Sequence, residues 1–583
     1  MDNASIWLWA ASLAPLALLL FLMIGRGWGA AEAGSVGWLV ASLIALTVFH
    51  LRMEAVGLET VKGVVEAVTI VYIIVSAILI YEVAKEADAF VPFQRGMTRL
   101  FAHPLLQVMA IGWVFASFLQ GITGFGVPIA VCAPLLVGIG VRPLHAVVIA
   151  LVGHAWNNTF GTLSAAWIGM KQVTDLSPGE YATTAVQTSL LLWMVNLAGG
   201  LTICWLYGRL RGVWEGLPAV LVISLAHGGV TLALSQWDDT LNGFAAGLVG
   251  LLVVAALARL PRYRRPSRVT DSPVFAPGTP TTTAPTPAGE PAPAGEPAPD
   301  RPAPAREPTP DRTAPASAPA PGTPSGGPTP VAVPPAGAPV PAAAMSLNSA
   351  FLPYSTLLVV TGVVLLIGPL KSVLGRPTVD VDFPAVTTGL GFTTPASTST
   401  LALLTHAGTL LLVTAVISYV LYRRAGHLRR RAYRSILSGT VEKAIGPTIA
   451  VVTLVAMASV MQGSGQADVL AAKVAAWTSG IYLLLGPYVG VFGTFITGSN
   501  LSSNLLFGAF QQTTAQAAGL STAQVLSAQT TGGALGTMIS PSKILLGTTT
   551  AGISGQEGQV LRRTLPLTLV MTALVGLPFF LLG

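Results

Sequence analysis

The stretch SFLQGITGFGVP, residues 117–128, places three glycines and a proline within eight residues of an otherwise apolar segment. Glycine and proline both disfavour the interior of a regular helix, so a helix should break here. Broken backbone in apolar surroundings must be buried in protein or line a watery cavity, and the free N–H groups at a helix start suit a carboxylate. We therefore predict a re-entrant hairpin near residues 117–140 that contacts a solute. The alternative is that the glycines only allow two helices to pack closely.

The composition around this stretch is that of a membrane protein. Hydrophobic residues make up 52% of the chain and charged residues only 9%, against about 25% charged residues in soluble domains, and the mean hydropathy is +0.68. Repeated apolar runs of about 20 residues are long enough to cross the hydrocarbon as helices. The sequence therefore predicts an all-α polytopic membrane protein with about 12–14 transmembrane helices. The net charge of +7 lies mainly in short loops beside these runs, which argues against nucleic acid as a partner.

A proline-rich segment at residues 266–345 divides the chain into two membrane halves, 1–265 and 346–583. It holds 24 of the 43 prolines and much alanine, so it lacks the apolar content to pack, and we predict a disordered linker. Arginines cluster just before it and again near residues 423–431 and 562–563, which places the linker on the cytoplasmic side. Both termini would then be extracytoplasmic.

A second interrupted segment in the later half matches the first. Thr497-Gly498 corresponds to Thr123-Gly124, and Gly536-Thr537 follows at nearly the same spacing as Gly161-Thr162. Such paired interruptions in two halves are the best sequence indication of a transporter's binding site. We predict a second re-entrant hairpin near residues 497–545, whose many hydroxyls and amides suit a small monoanionic or neutral polar solute. A polar loop on the membrane surface is the alternative, although apolar residues flank the segment.

The residues expected at the site are the polar and glycine residues of these interruptions. The predicted substrate-binding residues are Gln120, Thr123, Gly124, Phe125, Gly126, Asn157, Asn158, Thr497, Gly498, Ser499, Asn500, Ser502, Ser503, Asn504, Thr530, Thr531, Ser540 and Lys543. Lys543 could oppose a substrate carboxylate, or its side chain could extend to the membrane interface instead. His154 is the candidate for coupling, because a neutral imidazole could relay a proton there, with a purely structural histidine as the alternative.

Other functional classes fit the sequence less well. The apolar runs contain no nucleophile with a base and no HExxH ligand set, so we expect neither an enzyme nor a metal site. An anion channel is harder to exclude, because loops rich in threonine and glycine also line filters. Two unlike hairpins in one chain nevertheless favour a carrier of a small organic anion in the lipid bilayer, with no cofactor other than a coupling ion.

The longer motifs resemble those of the L-lactate permease family of bacterial transporters. The similarity rests on FLQGITGFGVPIAV from residue 118, LLVGIGVRPLHA from residue 135, ITGSNLSSNLLFGAFQ from residue 496 and TTGGALGTMISPSKI from residue 530. The resemblance implies import of L-lactate, or of D-lactate or glycolate, usually by proton symport. It also implies a multi-pass protein of the bacterial inner (plasma) membrane with re-entrant hairpins in two halves.

This sequence departs from the family at its charged positions. The family typically carries acidic residues where this chain has Gln120 and Asn500, and a lysine where it has Thr537. Where the family usually has asparagine and proline, this chain has His154 and Asn157. The loss of a carboxylate makes His154 a candidate replacement for proton transfer, and leaves a sodium-coupled or uncoupled carrier as the alternative.

Overall fold

The structure, a computed structural model, is almost entirely helical. It describes residues 3–26, 28–90, 92, 96, 100–124, 126–237, 239–265, 267–269, 271–276, 345–478 and 480–582. Within these ranges nine helices are long and apolar enough to cross a membrane, or ten if one bent pair is counted as a single span. The predicted all-α polytopic membrane class is confirmed. Several helices of the interrupted segments are shorter, because the chain breaks them after 10 to 18 residues, as at Pro541–Thr550 and Asn500–Ala517.

The first half, up to residue 276, forms a helical bundle. Its helices are α1 (Asn3–Gly25), α2 (Ala30–Thr47), α3 (Met53–Glu86), α4 (Pro104–Ile122), α5 (Val127–Gly138), α6 (Pro143–Ala155), α7 (Gly161–Gln172), α8 (Pro178–Leu234) and α9 (Asn242–Leu257). Helix α4 changes to π-helical geometry between Ala110 and Phe115. Apolar residues at almost every position of α4 are buried, which places this broken segment at the centre of the bundle.

The long helix α8 is two membrane-crossing arms joined by a sharp turn. Gly208 and Arg209 leave helical geometry, with φ of −158° and 54°. The arms then pack side by side, since Asn196 lies 3.0 Å from His227 Nδ1, and Ser189 Oγ lies 3.4 Å from the carbonyl oxygen of Thr231. The turn therefore reverses the chain.

The second half repeats the pattern of long helices around shorter broken ones. Its helices are α10 (Leu352–Leu366), α11 (Gly368–Leu374), α12 (Ala407–Arg424), α13 (Ala432–Gly463), α14 (Gln466–Thr478), α15 (Tyr482–Thr497), α16 (Asn500–Ala517), α17 (Thr522–Gly536), α18 (Pro541–Thr550) and α19 (Glu557–Leu582). Helix α13 packs along α3 of the first half, where Lys443 forms an ion pair with Glu82. The two halves are therefore joined laterally by long helices.

A small β structure interrupts the helical pattern between α11 and α12. Strand β1 (Thr378–Phe383) pairs antiparallel with β4 (Ser397–Ala402), and β2 (Val386–Thr387) pairs with β3 (Thr393–Thr394) inside the same excursion. The β-branched threonine and valine residues of these strands favour an extended chain over a helix. This part of the chain lies outside the helical core.

One end of the bundle gathers arginines. His145 Nε2 is 3.0 Å from Arg563 Nη1. The guanidinium groups of Arg142 and Arg209 are also close enough to interact electrostatically with the His145 ring. Because Arg563 belongs to the second half, loops from both halves meet at this end. Because arginine-rich ends favour the cytoplasmic side, this end corresponds to the side predicted from the sequence to be cytoplasmic, and that orientation stays a prediction.

The beginning of the proline-rich segment packs onto this arginine-rich end. The backbone N–H of Arg142 donates to the carbonyl oxygen of Val274 at 2.8 Å, and Ser272 Oγ donates to the carbonyl oxygen of Tyr207 at 2.6 Å. Val274 and Phe275 are buried. Packed chain thus continues to residue 276, beyond the predicted linker start at residue 266. Residues 277–344 lie outside the described ranges, and disorder there stays a prediction.

Candidate substrate site at the helix breaks

The break between α4 and α5 follows from its threonine and glycines. Thr123 Oγ1 donates to the carbonyl oxygen of Leu119 at 2.9 Å, which satisfies an acceptor in the last turn of α4. Gly124 and Gly126 then take positive φ angles of 47° and 89°, which non-glycine residues rarely adopt. The predicted interruption is therefore present. Phe125, also predicted at the site, lies outside the described residues.

The break between α15 and α16 has the same local design. Thr497 Oγ1 donates to the carbonyl oxygen of Gly493 at 2.7 Å, and Gly498 follows with φ of 77°. Ser499 caps α16 by accepting a hydrogen bond from the backbone N–H of Ser502 at 3.4 Å. The Thr-Gly correspondence noted in the sequence thus describes two equivalent helix ends. Whether these segments are re-entrant in a bilayer stays a prediction.

A second pair of breaks, between α6 and α7 and between α17 and α18, brings the two halves together. Asn158 Nδ2 donates to Thr537 Oγ1 at 3.2 Å and also lies 3.1 Å from the carbonyl oxygen of His154. Asn158 Oδ1 accepts a hydrogen bond from Lys543 Nζ at 3.3 Å. The Asn158 amide therefore connects the first half of the chain to both the Thr537 hydroxyl and the Lys543 amine of the second half.

A hydroxyl and amide network continues from this contact. Thr159 Oγ1 accepts from Asn500 Nδ2 at 3.1 Å and from Thr530 Oγ1 at 3.2 Å, and donates to the carbonyl oxygen of Thr530 at 3.1 Å. Asn504 Nδ2 donates to Thr530 Oγ1 at 2.8 Å and to the carbonyl oxygen of Ala166 at 2.9 Å. Asn500, Asn504 and Thr530 were predicted at the site, whereas Thr159, which contacts both Asn500 and Thr530, was missed.

Lys543 has a buried amine. Its residue is 7% exposed, so the amine points into the protein and does not extend to an interface. The alternative of a snorkelling lysine does not describe this structure. An intramembrane ammonium costs free energy unless it is paired, and its hydrogen-bond partner Asn158 is neutral. The arrangement favours an anion close to Lys543.

His154 lies one helical turn before Asn158 and is completely buried. Its Nδ1 atom is 2.8 Å from the carbonyl oxygen of Ala150. Its Nε2 atom is buried and has no hydrogen-bond partner among the described residues. The ring is therefore oriented by its own helix, with one nitrogen left for a further interaction.

The remaining predicted residues divide into those beside the network and those that hold the helices together. Gln120 is buried with Oε1 lacking a partner in the described chain, and Asn500 Oδ1, Asn504 Oδ1 and Thr531 Oγ1 share that property. Asn157 Nδ2 instead donates to the carbonyl oxygens of Ser117 and Gly243 at 2.8 and 3.0 Å.

Two predicted serines also serve local structure. Ser503 Oγ donates to the carbonyl oxygen of Gly490 at 2.8 Å, which ties α16 to α15. The hydroxyl of Ser540 lies 3.1 Å from that of Ser542, at the start of α18. These two contacts brace the helices around the network.

The start of α7 has an uncommon backbone. Thr162, Leu163 and Ser164 all have positive φ, at 52°, 48° and 63°, where each non-glycine residue costs on the order of 1–3 kcal/mol. The Ser164 hydroxyl hydrogen-bonds to the backbone carbonyl oxygen of Asp239, which helps to hold this turn. Such conformations persist where the surrounding structure fixes them, and here they follow directly after the Asn158–Thr159 break.

A polar cavity of about 1140 Å³ lies at the end of the bundle opposite the arginines. Its lining includes Lys62, Gln172, Gln462, Gln512 and residues 392–402 of the β structure. Gln512 and Asn504 are on the same helix, eight residues or roughly 12 Å apart along its axis. The cavity, called the vestibule below, therefore lies beside the buried network, at the end of the bundle away from the arginines.

Comparison with known proteins identifies the family. The family described as L-lactate permease matches residues 9–273 and 342–583, which is most of the chain. The chain belongs to the L-lactate permease family. The unmatched residues 274–341 nearly coincide with the stretch outside the described ranges.

Relatives within this family align over almost their whole length. An L-lactate permease of Halalkalibacterium halodurans is 25% identical, covering 98% of this chain and 96% of the relative. An L-lactate permease of Bacillus subtilis is 26% identical over 98% and 95%, respectively. The glycolate permease GlcA of Escherichia coli is 24% identical over 94% and 90%. These similarities agree with the resemblance seen in the motifs.

The structure shows how this L-lactate permease family member arranges its departures from the family pattern. Thr537, where the resemblance predicted a lysine, lies six residues before Lys543, and the two side chains reach the same neighbourhood. Both side chains hydrogen-bond to Asn158, at 3.2 and 3.3 Å. In this chain the amine beside the α6–α7 break is therefore that of Lys543.

Proposed function

We propose that this protein imports a small 2-hydroxymonocarboxylate, L-lactate or its analogues D-lactate and glycolate, across the inner membrane of a bacterium. Membership of the L-lactate permease family and the names of its relatives, which are L-lactate and glycolate permeases, support this substrate class. Those relatives are permeases, and we propose a carrier and not an enzyme for this chain as well. Transport by proton symport with alternating access is part of the proposal.

The observation that carries the proposal is the buried amine of Lys543 at the junction of the two halves. A monocarboxylate placed there would neutralise the ammonium, while the hydroxyls and amides of Thr159, Asn158 and Asn500 would replace hydration. One full charge surrounded by neutral groups can bind a monoanion without trapping it. Release is therefore compatible with binding.

Alternating access has a concrete location in this proposal. Asn158 and Thr159 of the first half make side-chain hydrogen bonds to Thr537 and Thr530 of the second half. Opening the site towards the vestibule or towards the cytoplasm would separate or rearrange these contacts. Each is a neutral hydrogen bond with a net worth of about 0.5–1.5 kcal/mol, small enough for a carrier to exchange during transport.

Uptake into proteoliposomes tests the function. Labelled L-lactate and glycolate should accumulate under an inward proton gradient and exchange with unlabelled lactate inside the vesicles, as in a carrier. A sodium gradient at equal internal and external pH should not drive accumulation. Accumulation under sodium alone would replace proton symport by sodium coupling, and flux without exchange would favour a channel. No flux of any 2-hydroxy acid would contradict the substrate class.

The Lys543→Met variant connects this assay to the site. It should abolish accumulation, because the substituted side chain fills similar space without the charge. Lys473→Met is the matched control, since the Lys473 amine lies over the Trp477 ring on α14, at 5.9 Å from the ring centre. Equal activity in both variants would contradict the assignment of Lys543 to the site.

A further inference from the structure

His154 offers a hydrogen-bond acceptor, and a contact within its own helix determines which ring nitrogen that acceptor is. A backbone carbonyl can only accept, so the 2.8 Å contact between His154 Nδ1 and the Ala150 carbonyl oxygen requires the hydrogen on Nδ1. In a neutral imidazole the other nitrogen, Nε2, is then an acceptor. A second positive charge in this buried place would also repel the nearby ammonium of Lys543.

The Nε2 acceptor is buried without a partner among the described residues, which is uncommon. Asn158 joins the two residues, since it contacts the backbone carbonyl of His154 at 3.1 Å and Lys543 Nζ at 3.3 Å, and the Lys543 amine is close enough to act electrostatically on the imidazole. The site therefore offers an amine suited to an anion and, on a residue joined to it through Asn158, an acceptor that lacks a donor.

A 2-hydroxycarboxylate carries both complementary groups on adjacent carbon atoms. Its carboxylate suits the ammonium, and its hydroxyl hydrogen suits the imidazole lone pair. A simple carboxylate such as propionate lacks the donor, and a 2-oxo acid such as pyruvate turns a second acceptor towards Nε2. A 2-amino acid would bring a further ammonium beside Lys543. The pair thus distinguishes hydroxy acids from acids of equal size.

We propose that His154 determines specificity by accepting the hydrogen bond of the substrate's 2-hydroxyl group while Lys543 holds the carboxylate. This inference rests on the proposed function, because it takes a 2-hydroxy acid as the solute. It assigns His154 a recognition role in place of the proton relay considered from the sequence. The hydroxyl donates and Nε2 accepts, so no proton needs to leave the substrate.

Competition against labelled L-lactate in wild-type proteoliposomes is the first test. Unlabelled lactate and glycolate should compete well, whereas propionate, pyruvate and 2-methoxypropionate should compete about five- to tenfold less well, the fold-change expected for one net hydrogen bond. The methoxy compound keeps the oxygen but lacks the donor hydrogen. Equal competition by 2-methoxypropionate and lactate would overturn the His154 assignment while leaving lactate transport intact. A wild-type protein that binds no 2-hydroxy acid would instead contradict the proposed function.

Two variants test the residue itself. His154→Leu removes the acceptor and should bring the apparent affinities for lactate and propionate to within about twofold of each other, by weakening lactate. His154→Gln retains an acceptor oxygen and should keep part of the preference for lactate. This variant still tests the inference if His154→Leu fails to fold. His227→Leu is the matched control, since His227 is equally buried but stacks on Trp156, 4.8 Å between ring centres.

The outcomes of these variants are distinct. Loss of preference in His154→Leu alone supports the inference. A proportional loss of lactate and propionate transport, with the preference unchanged, overturns it. The same holds if His227→Leu changes the preference as much as His154→Leu does.

Discussion

Asn157 and Asn158 are neighbours in sequence, yet Asn157 donates to two backbone carbonyl oxygens whereas the Asn158 oxygen accepts from Lys543. The same substitution should therefore affect stability at the first position and transport at the second. Asn158→Asp would place a carboxylate where the amide oxygen now lies 3.3 Å from Lys543 Nζ. Asn157→Asp would instead turn a carboxylate oxygen towards the carbonyl oxygens of Ser117 and Gly243, which now accept hydrogen bonds at 2.8 and 3.0 Å. The first change creates an ion pair, although it also removes the Nδ2 donor to Thr537 Oγ1 and to the carbonyl oxygens of His154 and Ala155, which keep backbone N–H partners. The second change removes two donated hydrogen bonds and creates no ion pair.

The expected size of the first effect follows from the distance. At the 3.3 Å separation of Asn158 Oδ1 and Lys543 Nζ, an ion pair is worth roughly 5 kcal/mol with an effective dielectric constant of about 20. The substrate carboxylate would have to compete with this internal partner. If only about a third of that energy opposes binding, the affinity for lactate falls about fifteenfold. Asn158→Asp should therefore stay folded but lose high-affinity transport.

The expected size of the second effect follows from the lost hydrogen bonds. In Asn157→Asp two hydrogen bonds to backbone carbonyl oxygens are lost, at about 0.5–1.5 kcal/mol each, and a carboxylate oxygen is turned towards those carbonyl oxygens. This variant should unfold at a lower temperature than Asn158→Asp.

Two measurements on purified protein compare the pair. The midpoint of thermal unfolding in detergent reports stability, and labelled L-lactate uptake at several concentrations separates affinity from maximal rate. Wild-type uptake by Asn158→Asp, or the same loss of stability in both variants, would refute the reasoning. Asn158→Ala controls for simple removal of the amide.

Three further predictions concern the helix breaks. Gly498→Ala should lower the free energy of unfolding by about 1–2 kcal/mol, because Gly498 has φ of 77°. Gly446→Ala is the control and should not lower it, because Gly446 lies in open space within α13. Chemical denaturation compares the two variants. Thr159→Val removes the hydroxyl that contacts Asn500 and Thr530 and should weaken the contact between the halves by about 1–3 kcal/mol. Amide hydrogen exchange in α17 should then be faster, and unchanged exchange would contradict this prediction. Ser117→Ala should cost about 1 kcal/mol of stability by removing the acceptor of Trp156 Nε1 at 2.8 Å, while retaining lactate affinity. A loss of affinity in Ser117→Ala with normal stability would place that serine in the substrate site.

The helical membrane class and the two Thr-Gly breaks could be predicted because their causes are local. Apolar length indicates a membrane helix, and glycine at Gly124 and Gly498 permits the left-handed backbone that ends one. The paired sequence interruptions likewise describe two equivalent local structures. The antiparallel β strands at residues 378–402 were not predicted, since hydropathy was the guide and this segment is polar.

The division of work among the site residues could not be predicted, because it depends on contacts between distant parts of the chain. Nothing in the sequence shows that Asn158 faces Thr537, 379 positions away, while Asn157 faces α4 and α9. Thr159 was overlooked because a single threonine carries no motif, although it lies directly inside the predicted break. The sequence also could not show whether the Lys543 side chain points into the protein or towards the membrane interface, because that depends on its contact with the distant Asn158.

The left-handed turn at residues 162–164 is a further feature without a sequence signal. Threonine, leucine and serine do not favour positive φ, so tertiary contacts must impose it. The hydrogen bond from Ser164 to the Asp239 carbonyl oxygen is one such contact.

The central claim is that the Lys543 ammonium binds the carboxylate of a 2-hydroxy acid, and equilibrium binding tests it most directly. Calorimetric titration of L-lactate into detergent-purified wild-type protein, Lys543→Met and Lys473→Met separates binding from the transport cycle. We predict saturable binding to the wild type and to Lys473→Met, and an affinity about 10- to 100-fold weaker in Lys543→Met, the loss expected for a hydrogen bond to a charged group. Unchanged affinity in folded Lys543→Met would contradict the claim.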